Sequence, residues 1–264
     1  DGKDAVDAGR ARLHQSHRKS SPRQVKRRTP CAPPTLPAIL QSLVPSVRWG
    51  MLPVYRSPDM SIVRPATHYD REYFNKWYRH PKHRVKSPLD IERQLRFIVA
   101  ATEYLFERPV RKVLDVGAGE GNWSVALKKI RPGARYYGVD ASEYAVERFG
   151  KKRNIRLGTF GTVGTLGLPD DFDLVLSCGV LNYVAPRELA TGLKALAELC
   201  PGAGYFEVFS SADDATGDFK REEARTPAFW RSLFRKNGWS ALGMHLYLPT
   251  PIEGVAAALE RARA

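Results

Sequence analysis

A glycine-rich turn between a strand and a helix is the feature that most constrains the fold of this chain. The segment Val113-Leu-Asp-Val-Gly-Ala-Gly-Glu-Gly-Asn-Trp123 holds a short apolar run, three glycines at alternate positions and the first residues of a helix. Glycine turns the chain sharply and lets backbone amides approach a ligand where a Cβ would otherwise stand. The N-terminus of the helix behind the turn favours an anionic group. A strand and a helix joined in this way indicate an α/β protein with a ligand site at the turn.

Strands and helices alternate along the rest of the chain. Short β-branched runs predict strands at Lys112–Val116, Tyr136–Val139, Ile155–Thr159, Phe172–Ser177, Gly204–Phe209 and, after an Asn-Gly turn, Trp239–Leu248. Helical stretches are predicted at Gly121–Ile130, Ser142–Phe149, Pro186–Leu199 and Pro227–Lys236. The segment Gly254–Glu260 fits either a closing strand or a helix. This alternation predicts a mostly parallel seven-stranded sheet with helices on both faces, a three-layer α/β sandwich.

The basic charge lies at one end of the chain. Residues 1–66 and 67–112 carry net charges of +8 and +5 out of a total of +14, and residues 1–66 hold nine of the nineteen prolines. Because residues 1–66 lack sustained apolar periodicity, they are predicted to be a disordered basic leader. A nucleic-acid or membrane-surface arm is the alternative for the leader. No apolar run approaches the roughly 20 residues of a membrane span, and three scattered cysteines form neither a disulfide framework nor a zinc site.

Residues 67–108 are predicted to form two helices before the first strand. Four aromatic residues at helical spacing, Tyr73, Phe74, Trp77 and Tyr78, mark a short helix that ends before Pro81. Ser87 and Pro88 form a plausible cap and first turn for a second helix that reaches about Phe106. The aromatic residues fit either a lid over a ligand or core packing. The domain is therefore expected to span 67–264, with 67–108 as its helical lid region.

The glycine spacing and Asp115 distinguish the glycine-rich turn from a dinucleotide site. That fingerprint needs glycines at the first, third and sixth positions, but here they occupy the first, third and fifth, and Asn122 stands at the sixth. Asp115 precedes the turn, where it would repel a diphosphate but suit an ammonium group. Asp140, about 20 residues later at the end of the second strand, is placed to accept hydrogen bonds from ribose hydroxyls.

The run Leu-Asp-Val-Gly-Ala-Gly-Glu-Gly followed by Tyr-Tyr-Gly-Val-Asp140 resembles the first two motifs of class I S-adenosylmethionine-dependent methyltransferases. The resemblance extends from about Tyr69 to the C-terminus and implies a Rossmann-like fold with strand order 3-2-1-4-5, the late strands being added beside strand five. It implies S-adenosylmethionine as the cofactor, with S-adenosylhomocysteine (SAH) as the product. Many members place an acid just after strand three, whereas this chain has Gly161-Thr162. The cofactor-binding residues implied are Asp115, Gly117, Ala118, Gly119, Gly121, Asp140, Ala141, Ser142, Thr162, Ser177 and Cys178.

The methyl acceptor is less well defined by the sequence. Ligands of open α/β sheets bind outside the carboxyl ends of the strands, and the candidates for acceptor contact are Tyr69, Tyr73, Asn182, Tyr183 and Glu207. No convincing acid–base pair is present, and the candidates for a catalytic role are His245, Tyr183 and Asn182. Cys178 fits a small buried residue better than a nucleophile. No metal site is expected.

The predicted activity is methyl transfer from S-adenosylmethionine to a small-molecule acceptor by a cytoplasmic protein without membrane partners. One alternative is an RNA or protein methyltransferase that holds a polyanion with its basic N-terminal part. The other is a binding module with a methyltransferase-like fold and no turnover.

Overall fold

The computed structural model describes residues 69–213 and 224–259. The predicted basic leader, residues 1–66, lies outside the described residues, and so do the first two residues of the predicted domain. The predicted lid region, 67–108, is described from Tyr69 onward.

Seven strands of the described residues form one sheet. They are β1 (Lys112–Val116), β2 (Arg135–Asp140), β3 (Ile155–Leu157), β4 (Leu174–Cys178), β5 (Ala203–Glu207), β6 (Trp239–Gly243) and β7 (Leu246–Pro249). Their order is β3-β2-β1-β4-β5-β7-β6; the first five strands are parallel, whereas β7 is antiparallel to β5 and β6. The predicted sheet and strand order are confirmed. The order reverses between β1 and β4, the place where such sheets bind ligands.

Helices cover both faces of the sheet. They are α1 (Arg71–Phe74), α2 (Pro88–Phe106), α3 (Asn122–Ile130), α4 (Glu143–Arg153), α5 (Pro186–Leu199) and α6 (Pro227–Lys236). Helices α2 and α3 share one buried apolar cluster with alternate residues of β1 and β4, while α5 and α6 share a second cluster on the opposite face. Leu114 and Val113 of β1 show this alternation, since each belongs to a different cluster.

The cap predicted for the second helix is present. The Ser87 hydroxyl accepts from the Asp90 amide at 3.2 Å, and the Asp90 carboxylate accepts from the Ser87 amide at 3.0 Å. This reciprocal pair satisfies two amides at the start of α2. The aromatic helix before it starts as α1 and continues as a π-helical stretch, Asn75–Arg79, a geometry that alters the spacing of the side chains on its faces.

The C-terminal segment differs from its prediction. The single predicted strand Trp239–Leu248 is a hairpin, because Met244 and His245 adopt φ values of 49° and 64° and reverse the chain between β6 and β7. Residues Thr250–Val255 form a 3-10 helix, so the start of Gly254–Glu260 is neither strand nor α-helix. In the described residues, no helix combines the length and apolar character that a membrane span requires.

Candidate functional site

The glycine-rich turn adopts the backbone that its sequence predicts. Gly117, Gly119 and Gly121 have φ values of 84°, 53° and 75°, in the left-handed region where a Cβ is strained. The amides of Gly117 and Ala118 donate to the Val139 carbonyl at 2.8 and 3.1 Å, which ties the turn to the end of β2. The turn therefore brings a largely buried, glycine-rich backbone to the switch point of the sheet, where Gly117 and Ala118 line a pocket.

Asp140 links the glycine-rich turn to the start of α4. Its Oδ2 accepts from the Gly119 amide at 2.6 Å and its Oδ1 from the Ser142 amide at 2.8 Å. Burial raises the pKa of Asp140, and the two amide donors partly offset that rise. The Ser142 hydroxyl caps α4 at Ala145 and also donates to the Tyr69 carbonyl at 2.5 Å. Each carboxylate oxygen has two lone pairs, so Asp140 retains capacity for a further donor.

Asp115 is a buried carboxylate whose hydrogen bonding is incomplete. Only 1% of the residue is exposed, and its Oδ2 accepts from the Tyr136 hydroxyl at 2.5 Å. Within residues 69–213 and 224–259, no donor reaches Oδ1. Burial raises the pKa of Asp115 to about 7, against the lowering effect of the Tyr136 hydrogen bond. Because a buried carboxylate is normally satisfied, the free oxygen fits a ligand cation.

The aromatic segment that contains α1 lies directly on the glycine-rich turn. A Cβ at Gly119 would meet the Tyr78 hydroxyl at 2.5 Å and the Phe74 ring at 3.2 Å. Arg79 forms an ion pair with Glu120 inside the turn, which is only 5% exposed. The sequence did not reveal this contact between segments about 40 residues apart. Residues 69–79 thus pack against the turn, with Phe74 buried, and their role as a lid stays a prediction.

A pocket opens beside the turn, between the aromatic segment and the carboxyl ends of β1, β4 and β5. Aromatic and apolar side chains form most of its wall, and a few polar groups lie among them. The residues that line it are Tyr73, Trp77, Tyr78, Val85, Lys86, Ile91, Gly117, Ala118, Asn122, Trp123, Cys178, Gly179, Asn182, Tyr183, Glu207 and Phe209. The pocket brings together Tyr73, Asn182, Tyr183 and Glu207, four of the five residues predicted to contact an acceptor.

A polar network forms one wall of the pocket. The Lys86 ammonium forms an ion pair with Oε2 of Glu207 and donates to Gln94 Oε1 at 2.8 Å. The Gln94 amide donates to the same Glu207 oxygen at 2.7 Å and to the Tyr205 hydroxyl at 2.6 Å. The sequence indicated Glu207 but not Lys86 or Gln94, which lie more than 100 residues away from it along the chain.

Asn182 holds two loops of the pocket together. Its Nδ2 donates to the Phe209 carbonyl at 2.7 Å, and its Oδ1 accepts from the Phe209 amide at 3.1 Å. Both amide atoms are thus engaged with backbone, although the residue lines the pocket. Cys178 lies nearby, and burial raises the pKa of its thiol, which keeps the sulfur protonated and agrees with a non-nucleophilic role.

Other predicted site residues lie away from the pocket. His245 is exposed in the β6–β7 turn, its ring 5.9 Å from that of Tyr205. Thr162 is exposed and hydrogen-bonded to Thr159. The Ser177 hydroxyl is fully buried and donates to the Val116 carbonyl at 2.8 Å. These positions give His245 no contact with the pocket and give Ser177 a structural hydrogen bond.

Comparison with known families agrees with this geometry. Residues 113–204, from β1 to β5, match a family model described as a methyltransferase domain. They include the glycine-rich turn, Asp140 and the end of β4. Residues 113–204 are therefore similar to a methyltransferase domain. The resemblance inferred from the sequence motifs is confirmed.

Two solved methyltransferase structures are similar to part of this chain. A plantazolicin methyltransferase, BamL, in complex with a triazolic desmethylPZN analog and SAH, is 14% identical, with 62% of this chain and 71% of that chain covered and a TM-score of 0.50. A magnesium protoporphyrin IX methyltransferase (ChlM) from Synechocystis PCC 6803 with bound SAM is 20% identical, with 66% and 84% covered and a TM-score of 0.47. No curated protein sequence matches the chain.

Proposed function

We propose that this chain binds S-adenosylmethionine at the glycine-rich turn and transfers its methyl group to a small-molecule acceptor held in the adjoining pocket. The observation that carries the proposal is the position of the two buried carboxylates, Asp115 and Asp140, at a positive-φ glycine turn that borders an aromatic pocket. The methyltransferase BamL, which shares the fold, is described in complex with SAH.

The residues at the turn fit the parts of this cofactor. The free Oδ1 of Asp115 suits the ammonium of its amino-acid portion, and the remaining lone pairs of Asp140 suit its ribose hydroxyls. Gly117 and Ala118 lie both in the turn and in the pocket wall, so a ligand along the turn would border the pocket. The cofactor supplies a methyl group already activated by its sulfonium.

The chain's own contribution is then chiefly to position the acceptor. Side chains around the pocket exclude water, and the Asn182 contacts with Phe209 fix the loops after β4 and β5. Holding two reactants in line at about 3–3.5 Å supplies a large part of the rate enhancement by itself. His245 has no contact with the pocket, and a role as general base is not part of this proposal.

Calorimetric titration of SAH into the full chain tests the proposal. Asp140→Ala is expected to weaken binding by about 1.5–3 kcal/mol, the range for hydrogen bonds to a charged group. Asp170→Ala, at an exposed carboxylate before β4, is the matched control and is expected to leave the affinity unchanged. Unchanged affinity in Asp140→Ala would remove the ribose assignment, and no SAH binding by the wild type would refute the proposed function.

A further inference from the structure

Glu207 lies in the wall of the proposed acceptor pocket, and one of its carboxylate oxygens has no hydrogen-bond partner among the described residues. The residue ends β5, lines the pocket and is 8% exposed. Its Oε2 accepts from both Lys86 Nζ and Gln94 Nε2. Across the described part of the chain, no donor reaches its Oε1. One oxygen is saturated while the other is left for a ligand.

The neighbours of Glu207 fix its orientation. Lys86 and Gln94 come from the segment before α2 and from α2 itself, and both converge on Oε2. Gln94 is held in turn by the Tyr205 hydroxyl. Leaving a buried acceptor unsatisfied is energetically unfavourable, so this oxygen favours a ligand that brings its own donor.

The rest of the pocket favours a flat and uncharged ligand. Lys86 already forms an ion pair with Glu207, so the polar wall has no net charge to attract an ion. Six aromatic residues line the same space, and such rings stack on planar ligands or meet them edge to face. They are Tyr73, Trp77, Tyr78, Trp123, Tyr183 and Phe209.

We propose that Oε1 of Glu207 accepts a hydrogen bond from a hydroxyl or N–H group of an aromatic methyl acceptor held among these rings. This inference rests on the proposed function, since it names the acceptor class for the same pocket. Glu207 contacts the acceptor, whereas Lys86 and Gln94 are positioning residues that act through it. A ring whose donor hydrogen is already replaced by methyl lacks the group that Oε1 requires.

Matched pairs of small aromatic probes test the inference by calorimetry on the full chain saturated with SAH. The pairs are 2-naphthol with 2-methoxynaphthalene, and indole with 1-methylindole. In the wild type, the donor-bearing member of at least one pair is expected to bind about tenfold more tightly than its methylated partner, the effect of one hydrogen bond to a charged group. In Glu207→Gln this ratio is expected to fall to about threefold or less.

Glu198→Gln removes a carboxylate from the exposed face of α5 and is expected to keep the wild-type ratio. Thermal melting establishes that each variant is folded. If Glu207→Gln does not fold, Glu207→Asp serves instead, because it keeps the charge beside Lys86 but withdraws the oxygens by one methylene group. The ratio is expected to fall in this variant as well.

The inference fails if neither pair is discriminated by the wild type, if no probe binds, or if the ratio survives in the Glu207 variants. The probe titrations are repeated in the absence of SAH, so that probe binding is judged separately from SAH binding. SAH binding without discrimination between probes overturns the inference alone. Absence of SAH binding overturns the proposed function, whereas the probe ratios still decide whether Glu207 recognises a donor.

Discussion

Replacing Asp115 by Asn tests whether the buried carboxylate before the glycine-rich turn is kept for a ligand rather than for the fold. Asn has nearly the same shape and keeps an oxygen for the Tyr136 hydroxyl, but it cannot ionise. We expect the variant to be more stable than the wild type at alkaline pH and, at the same pH, to bind SAH less tightly.

The magnitude follows from the pKa of Asp115, which burial raises from 3.8 to about 7. The folded state therefore binds the proton more tightly than the unfolded state does. This contribution to stability is complete below the unfolded pKa and is lost as the pH rises through the folded pKa. Each pKa unit corresponds to about 1.4 kcal/mol, so the wild type is expected to lose on the order of 2–3 kcal/mol between pH 5 and pH 8 through this residue.

Thermal melting at pH 5 and pH 8 measures the effect. For a domain of this size, 2–3 kcal/mol corresponds to about 5–10 °C in Tm. The difference in Tm between Asp115→Asn and the wild type should therefore shift by this amount in favour of the variant from pH 5 to pH 8. Asp170→Asn, at an exposed position, is the control for the loss of a carboxylate and should show no such growth. Calorimetry at pH 8 should show SAH binding to Asp115→Asn weakened by about 1.5–3 kcal/mol. A Tm difference independent of pH, or SAH affinity unchanged, would refute the reasoning.

Two further substitutions test the framework of the site. Gly117→Ala places a Cβ 2.1 Å from Val180 Cγ2 at a φ of 84°, whereas Gly179 has a similar φ of 68° and open space around it. Thermal melting should show Gly117→Ala to be about 1–3 kcal/mol more destabilising than Gly179→Ala. Equal losses of stability in the two variants would contradict the close packing at Gly117. Asn182→Ala removes both hydrogen bonds to the Phe209 backbone. Urea unfolding should show a free energy of unfolding lower by about 1–3 kcal/mol. A change within about 0.5 kcal/mol would mean that the two loops are held by other contacts.

The sheet and the glycine-rich turn could be predicted because their signals are local. The glycines of the turn, a β-branched run before them and an acid at the end of the next strand lie within about 30 residues, and each reflects a backbone requirement. The strand order came from the resemblance of these motifs to class I methyltransferases, and connectivity rules leave few alternatives once strands alternate with helices. The cap at Ser87 is local in the same way, since it needs only Asp90 three residues later.

The end of the sheet could not be predicted from such signals. A continuous strand was expected through Trp239–Leu248, because positive φ is uncommon at residues other than glycine, yet both Met244 and His245 adopt it. Gly243, which also has a positive φ, is the residue of this stretch whose type indicates a chain reversal. His245 was a candidate for catalysis on its chemistry, but the turn places it on the exposed edge. A side chain's chemistry indicates a role only after the backbone has placed it beside a pocket.

The proposed acceptor wall could not be predicted because its members meet only through the packing of α2. Glu207 could be suggested from its place at the end of β5, as strand ends converge at one edge of the sheet. Lys86 and Gln94 belong to a cap and a helix whose sequence signals concern only helix formation. Helix α2 packs beside α3 against the sheet, and this packing places Gln94 within 2.7 Å of Glu207. The residues proposed to bind the cofactor lie in the segment β1–α3–β2. The wall proposed to select the acceptor instead joins β5 of the sheet to α2 and the residue before its cap. The acceptor could therefore change through substitutions in residues 73–94 while the glycine-rich turn stayed the same.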